Sequence, residues 1–343
     1  MPGARAAPLL APSTEAGALG VLHLKRLWSA ALAQRAGRPV DRKGEGALDA
    51  LVTHALGFSL HQVFGHLHAN TPTFAEFEDW IAATAGRPDP LRVARLNAGI
   101  EGRPPPEAVR NWLDAVQASA PVLSREDLRF WDDNGYVVLK GAVSGMARAA
   151  AEAAVWEHVA ADPGAPESWY TRAGRHGIMV ELIQHPALEA NRRAARIHKA
   201  FAQLWGTADL WATADRCGFH PPQRADHPFP GPDLHWDLDF SVPLAFGTQG
   251  ILYLTDTPPE QGALTLVPGF HRRLPEWLAA LPAGADPQKE DLHALGPVAV
   301  GAAAGDLVIW RDALPHGSRP NLGTRPRIVQ YINMFPAAPR DGA

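Results

Sequence analysis

From Leu210 onward the chain is a series of short β-branched or aromatic runs separated by Pro, Gly and Asp, and this feature constrains its fold most. Several short strands with turn signals between them and few helices are typical of an antiparallel sandwich or barrel. The runs read LWATADRCGFH, GILYLTDT, ALTLVPG, LGPVAVG, GDLVIW and RIVQYINMF. The C-terminal part therefore predicts a β-sandwich or a β-barrel.

The N-terminal third has a different pattern, in which apolar residues recur at the spacing of one helix face. Thr73 with Glu76 three residues later predicts a capping box at the start of one such helix. The segments with helical spacing are Val21–Arg35, Ala47–Phe64, Thr73–Ala83 and Pro106–Ala118. We expect three parts: a disordered leader at 1–20, a helical region at 21–120 and a strand-rich domain at 121–343.

The domain that begins near residue 121 mixes helices with strands. Ser124 is placed to cap a helix that ends at Gly135, and the strand-like run YVVLKGAV follows it. Two further segments, Met146–Ala161 and His185–Trp205, have helical character. The fold class predicted for the whole chain is therefore α+β.

Composition restricts the partners and the compartment. The 343 residues carry a net charge of −4 without a basic block, which argues against nucleic-acid binding. The single cysteine, Cys217, excludes an intrachain disulfide and a cysteine-based zinc cage. The longest uncharged apolar stretch, Ala294–Gly305, is shorter than a bilayer span. We expect a cytoplasmic protein that acts on small molecules and binds no membrane.

The string PDLHWDLDF holds the most informative polar residues. On a strand, residues two positions apart point to the same face, so His235 and Asp237 can reach one metal ion together. The third ligand predicted is His316 in WRDALPHGSRPN, 79 residues after Asp237. Two imidazoles and one carboxylate on one side of a metal leave positions open, which indicates non-haem Fe(II) oxygen chemistry.

Two other histidines, His271 and His220, are alternatives to these ligands. His271 follows the turn VPGF, and we expect it near the site rather than on the metal. His220 and His227 lie in a Pro-rich approach to the His-x-Asp string, where loop histidines are usually on the surface.

A 2-oxo acid bound to such a metal needs a partner for its distal carboxylate. Arg325 and Arg327 lie downstream of His316, and the planar guanidinium of arginine pairs bidentately with a carboxylate. Both arginines fall on the same strand face, so periodicity does not choose between them. Arg327 lies inside the β-branched run, where a salt bridge is better shielded. Ser318 can add a hydroxyl donor.

Four segments in order resemble the phytanoyl-CoA dioxygenase family of Fe(II)- and 2-oxoglutarate-dependent oxygenases. They are LSREDLRFWDDNGYVVLKGAV, LHWDLDF, DTPPEQGALTLVPGFH and GDLVIWRDALPHGSRPNLGTRPR, and the resemblance runs from Ser124 to Phe335. It implies a double-stranded β-helix (a cupin-like jelly roll) with flanking helices. It also implies that His235, Asp237 and His316 bind iron.

The same resemblance assigns the cosubstrate site. It implies that Arg327 binds 2-oxoglutarate beside Ser318, and that Tyr253 lies near the cosubstrate. The predicted activity is hydroxylation of an unactivated C–H bond in a small molecule (an amino acid, acyl compound or natural-product intermediate), with O2 consumed and succinate and CO2 released. Related halogenases replace the carboxylate ligand with a small residue, so the presence of Asp237 favours hydroxylation or another oxidation over halogenation.

Substrate contacts and alternative functions complete the predictions. Four residues are candidates for substrate binding. Trp169 and Arg172 lie in the segment before the strands, Arg216 lies on the strand that precedes the His-x-Asp string, and Trp236 lies within that string. For Arg216 a structural salt bridge is the alternative. The alternative functions are a non-catalytic jelly-roll sensor of a metal or a 2-oxo acid, and a zinc-dependent hydrolase or isomerase. The N-terminal helical region is expected to serve as a lid or as the contact of a homodimer, with a dock for a carrier protein as the alternative.

Overall fold

The computed structural model describes residues 9–171 and 173–337. The chain divides into two compact units. The helical unit contains residues 9–118, Asp209–Ala214 and 336–337, and the β unit contains Ser119–Ala208 and Asp215–Phe335. No helix among the described residues is both long and apolar enough to cross a bilayer.

The four segments with predicted helical spacing all contain helices, although the spacing misses one break and does not predict the helix Pro90–Ile100. Among the described residues the helical unit has six helices. They are α1 (Leu24–Arg35), α2 (Gly46–Ala55), α3 (Leu60–Asn70), α4 (Phe74–Ala85), α5 (Pro90–Ile100) and α6 (Glu107–Ala118). The predicted capping box is confirmed, because Thr73 and Glu76 bond reciprocally at the start of α4. The predicted helix Ala47–Phe64 is wrong as one element. Gly57 has a φ of +86°, and the Ser59 hydroxyl caps α3, so the chain turns between α2 and α3.

The predicted leader is ordered from Ala11 onward. The backbone N–H groups of Ala18 and Leu19 donate to the buried Glu78 carboxylate at 2.9 and 2.8 Å, and the Ala11 N–H donates to Ser29 Oγ at 3.0 Å. The prediction of a disordered leader is therefore wrong for this segment, and residues 1–8 lie outside the described residues.

The β unit begins with the predicted helix and strand. Ser124 caps the first helix in a capping box with Asp127, and Gly135 ends it in the left-handed conformation. The helices of this unit are α7 (Arg125–Asn134), α8 (Gly145–His158), α9 (Pro186–Arg192), α10 (Ala195–Trp205) and α11 (Phe270–Ala280). The predicted helix His185–Trp205 is two helices, because Ala194 leaves the helical region with a ψ of 120°.

Strands follow one another at short intervals through the β unit. They are β1 (Tyr136–Leu139), β2 (Arg175–His176), β3 (Met179–Val180), β4 (Leu210–Ala212, in the helical unit), β5 (Cys217–His220), β6 (Thr248–Tyr253), β7 (Leu264–Leu266), β8 (Val298–Val300), β9 (Leu307–Arg311), β10 (His316–Gly317), β11 (Arg327–Tyr331) and β12 (Met334–Pro336). Among the described residues, seven strands form an antiparallel sheet in the order β1-β9-β6-β11-β5-β3-β2. A smaller antiparallel sheet has the order β10-β7-β8.

The core of the β unit lies between these two sheets. The inward side chains of both sheets share one buried cluster, to which the larger sheet contributes Ile251, Tyr253, Val308, Trp310 and Val329 and the smaller sheet Leu264, Leu266 and Val300. Neighbouring strands are distant in sequence, as β6 beside β9 and β11 shows. Two facing antiparallel sheets with this crossing connectivity form a jelly roll. The predicted α+β class with a double-stranded β-helix core is confirmed.

Candidate active site

The three predicted metal ligands converge at one end of the smaller sheet. His235 and His316 are cross-strand partners whose backbones exchange two hydrogen bonds of 2.9 Å, and their ring centroids lie 4.8 Å apart. The Asp237 carboxylate faces both rings, with Oδ1 3.6 Å from His235 Nε2 and Oδ2 3.4 Å from His316 Nε2. Within the described ranges, this is the one group of three His, Cys, Asp or Glu side chains whose ligand atoms all lie within 4.8 Å of one another.

Both imidazoles are oriented by their own backbone. His235 Nδ1 lies 2.7 Å from the Asp233 carbonyl oxygen, and His316 Nδ1 lies 3.1 Å from the Leu314 carbonyl oxygen. A carbonyl oxygen only accepts hydrogen bonds, so Nδ1 of each ring carries the proton. A neutral ring in this orientation presents the lone pair of Nε2 to the space beside Asp237, as a metal ligand requires.

The Asp237 carboxyl group is ionised. The His316 imidazole beside it is the main cause that holds its pKa well below the usual range, and the hydrogen bond from the Gln249 amide acts in the same direction. A charged carboxylate and two imidazole nitrogens on one side of a shared space suit a divalent transition metal with further positions open. The residues present therefore fit the metal that the sequence predicts.

Arg327 supplies a buried cation beside this cluster. Its side chain is 1% exposed and Nη2 donates to Ser318 Oγ at 3.1 Å, two residues after the ligand His316. Its Nε has no hydrogen-bond partner, and no carboxylate of the described residues lies within ion-pair distance of it. Arg325, by contrast, is exposed. An unneutralised guanidinium in the interior is costly, so Arg327 fits the carboxylate of a bound 2-oxo acid.

His220 lies directly opposite Arg327 on the neighbouring strand β5. It is 2% exposed, so the prediction of a surface loop histidine is wrong. Burial, together with the charges of Arg327 and Arg175, lowers the pKa of His220 to about 3. The ring is therefore neutral at physiological pH and adds no second positive charge beside Arg327.

A cavity of about 740 Å³ lies next to His220. The hairpin β2–β3 forms one side, and the segment Pro221–Pro232, which leads into His235, forms another. Its walls are mainly apolar and aromatic, with Tyr170, Ile178, Met179 and Phe229 among them. A pocket of this size and lining is suited to a small organic molecule.

Two of the predicted substrate contacts face the core instead. Trp236 points away from His235 and Asp237 because side chains alternate along an extended chain. It is 3% exposed, its indole Nε1 donates to the Ala313 carbonyl oxygen at 3.0 Å, and its ring packs on Phe270. Trp169 is also buried, and its indole donates to a backbone carbonyl oxygen at 2.8 Å. Both predictions of substrate contact are wrong.

The remaining predicted site residues have other neighbours. Arg216 lies 3.5 Å from Glu181 and 3.6 Å from Asp215, so the structural salt bridge is observed. Arg172 lies outside the described residues. Tyr253 is fully buried, and its hydroxyl donates to the Val300 carbonyl oxygen and accepts from Leu264 N–H, each at 3.0 Å. Those bonds join the two sheets, and the contact of Tyr253 with the cosubstrate stays a prediction.

Two glutamines support the His-x-Asp segment, and the sequence reasoning missed both. Gln249 Nε2 donates to Asp237 Oδ2 at 2.8 Å. Gln288 bonds both backbone groups of Trp236, accepting from its N–H at 3.1 Å and donating to its carbonyl oxygen at 2.7 Å. The alternation of Gln249 with Ile251 and Tyr253 was a signal that its side chain lies on the inner face of the sheet.

The chain was compared with known families and curated proteins. Residues 131–329 match the family model described as phytanoyl-CoA dioxygenase (PhyH). A Dictyostelium discoideum protein described as "Putative phytanoyl-CoA dioxygenase" is 30% identical over 186 residues, which cover 43% of this chain and 53% of that protein. The chain thus spans about half the length of this curated relative.

Solved structures with a similar fold share little sequence with this chain. AviO1 from Streptomyces viridochromogenes Tue57 has a TM-score of 0.46 and 19% identity, and the match covers 66% of this chain and all of that one. HygX from Streptomyces hygroscopicus, solved with nickel and 2-oxoglutarate bound, also has a TM-score of 0.46 and 19% identity, with 63% of this chain and 88% of that chain covered. Likenesses this distant do not identify a substrate.

Proposed function

Because the chain belongs to the phytanoyl-CoA dioxygenase family, whose model spans more than half of its residues, we propose that it is an Fe(II)- and 2-oxoglutarate-dependent dioxygenase. The proposed reaction hydroxylates an unactivated C–H bond of a small molecule. One O2 and one 2-oxoglutarate are consumed, one oxygen atom enters the substrate as a hydroxyl group, and the other enters succinate as CO2 leaves. The observation that carries the proposal is the convergence of His235, Asp237 and His316 beside the unneutralised guanidinium of Arg327.

Each residue of the site has a separate task in this reaction. His235, Asp237 and His316 would hold one face of the iron, which when bound supplies the activation of O2 that side chains cannot supply. Arg327 and Ser318 would grip the distal carboxylate of 2-oxoglutarate, because the guanidinium offers paired donors to a carboxylate. His220 stays neutral beside Arg327 and so does not compete for that carboxylate.

The cavity beside His220 is the proposed substrate site. Its apolar and aromatic side chains offer contact to a largely apolar molecule, and the segment that borders it leads directly to His235. A substrate held there would be positioned by packing against these side chains, and Arg175 and Asp226 of the lining offer charged contacts.

The proposal is tested by succinate formation. Purified protein with Fe(II), ascorbate, O2 and 2-oxoglutarate is expected to release succinate slowly without substrate and faster with a compound that fits the cavity. His316→Ala should abolish this release while the circular dichroism spectrum stays unchanged. Binding of 2-oxoglutarate without any succinate would favour the sensor, and turnover that needs zinc but no oxygen would favour the hydrolase or isomerase.

A further inference from the structure

Asp237 is the least restrained of the three ligands. Its side chain is 59% exposed, whereas that of His316 is 6% exposed, and each imidazole is fixed by a carbonyl oxygen two residues earlier. A carboxylate at the surface can rotate about two side-chain torsions into water. A preorganised metal site therefore requires a further residue that orients this carboxylate toward the two histidines.

Gln249 is in place to do this. Its side-chain amide lies 2.8 Å from Asp237 Oδ2. A carboxylate only accepts hydrogen bonds, so the NH2 end of the amide must face it. Because the amide is neutral, it orients the carboxylate without cancelling the negative charge that a metal ion requires.

The backbone that carries Gln249 belongs to a strand with a neighbour on each side. It lies on β6, which is hydrogen-bonded to β9 on one side and β11 on the other, and Gln249 itself is paired with Trp310. Ile251 follows on the same face and is buried between the sheets. The hydrogen bond therefore connects an exposed ligand to a strand in the middle of the larger sheet.

We propose that Gln249 is a positioning residue that holds Asp237 as a one-oxygen metal ligand. This inference rests on the metal site of the proposed function. The amide engages one of the two carboxylate oxygens, which disfavours chelation of the metal by both. Chelation would occupy a further coordination position, and a bidentate 2-oxo acid together with O2 needs every position that the three ligands leave open.

The test is Ni(II) affinity, measured by calorimetry on the metal-free full-length protein without 2-oxoglutarate. Gln249→Met keeps the length of the side chain but removes the donor, and we expect it to bind Ni(II) 10- to 100-fold more weakly. Gln34→Met, on an exposed position of α1, is the matched control and should bind like the wild type. If Gln249→Met does not fold, Gln249→Ser removes the same contact and is measured instead.

A double-mutant cycle separates positioning from a general loss of structure. Gln249 acts through the carboxylate, so in an Asp237→Ala background the Gln249→Met change should have no further effect on Ni(II) binding by the two histidines. An effect of the same size in both backgrounds, or none in the wild-type background, overturns the inference. Failure of the wild type itself to bind Ni(II) would instead contradict the metal site, so the two failures are distinguishable.

Discussion

Replacing Arg327 with methionine tests whether this buried cation serves a ligand or the fold. The guanidinium is 1% exposed, donates to Ser318 and has no carboxylate partner among the described residues. A buried arginine that is structural normally neutralises an acidic side chain, and its removal destabilises the protein. Arg327 has no such partner, so we expect the unliganded protein to be as stable after Arg327→Met as before, or more stable.

The same substitution should severely weaken 2-oxoglutarate binding. Truncating one partner of a buried, hydrogen-bonded charge pair costs about 2–5 kcal/mol. Since about 1.4 kcal/mol changes a dissociation constant tenfold, the expected loss of affinity is roughly 30- to 4000-fold. Arg327→Lys keeps the charge but loses the planar pair of donors, and it should fall between the wild type and Arg327→Met.

Two measurements are needed on each variant. Calorimetric titration of 2-oxoglutarate into the Ni(II)-loaded protein gives the affinity without turnover, and urea unfolding of the metal-free protein gives the stability. Arg325→Met is the control, because this arginine is two residues away and exposed. The reasoning is refuted if Arg327→Met binds 2-oxoglutarate within threefold of the wild type while losing about 2 kcal/mol or more of unfolding free energy.

Three further outcomes follow from the structure. His220 has a pKa of about 3 when folded and an ordinary value near 6.5 when unfolded, so only the unfolded chain takes up a proton between these values and stability is lost as the pH falls. In urea unfolding, the free energy of unfolding of the wild type should fall by about 2 kcal/mol between pH 7 and pH 5, and His220→Gln should lack this fall. An equal pH dependence in both proteins would contradict the assignment to His220. Gln288→Met removes two hydrogen bonds to the backbone of Trp236 and should lower the unfolding free energy by about 1–2 kcal/mol, whereas an unchanged urea midpoint would show that the bonds contribute nothing. Burial raises the pKa of the Cys217 thiol to about 12, so iodoacetamide at pH 8 should label it, by mass spectrometry, only after unfolding; rapid labelling of native protein would refute its burial.

The pairing of the candidate metal ligands His235 and Asp237 could be predicted from the sequence because it is local. Alternation along an extended chain puts His235 and Asp237 on one face, and the cross-strand pairing of His235 with His316 is the contact that a returning strand makes. The same alternation predicts that Trp236 points to the opposite face, so the sequence argument that paired the two ligands also contradicted a substrate contact by Trp236.

Other errors came from contacts between residues distant in the chain. The leader is held by Glu78, about 60 residues away, and no periodicity within the leader shows that partner. His220 lies in a Pro-rich stretch that resembles a loop, yet its pairing with Arg327 buries it. Helix breaks at Gly57 and Ala194 were missed because apolar spacing continues through a single turn.

The two kinds of ligand in this site differ in how their orientation is encoded. Each imidazole is fixed by the carbonyl oxygen two residues before it, so a short segment carries both the ligand and its support. Asp237 depends on Gln249, twelve residues later and on another strand, so its orientation exists only once β6 has joined the larger sheet. The pairing of the two histidines thus involves β10 of the smaller sheet, whereas the hydrogen bond that orients Asp237 comes from the larger sheet. Metal affinity should therefore depend on the packing of β6. Substitutions that weaken the packing of this strand should lower the affinity for metal even when the protein remains folded.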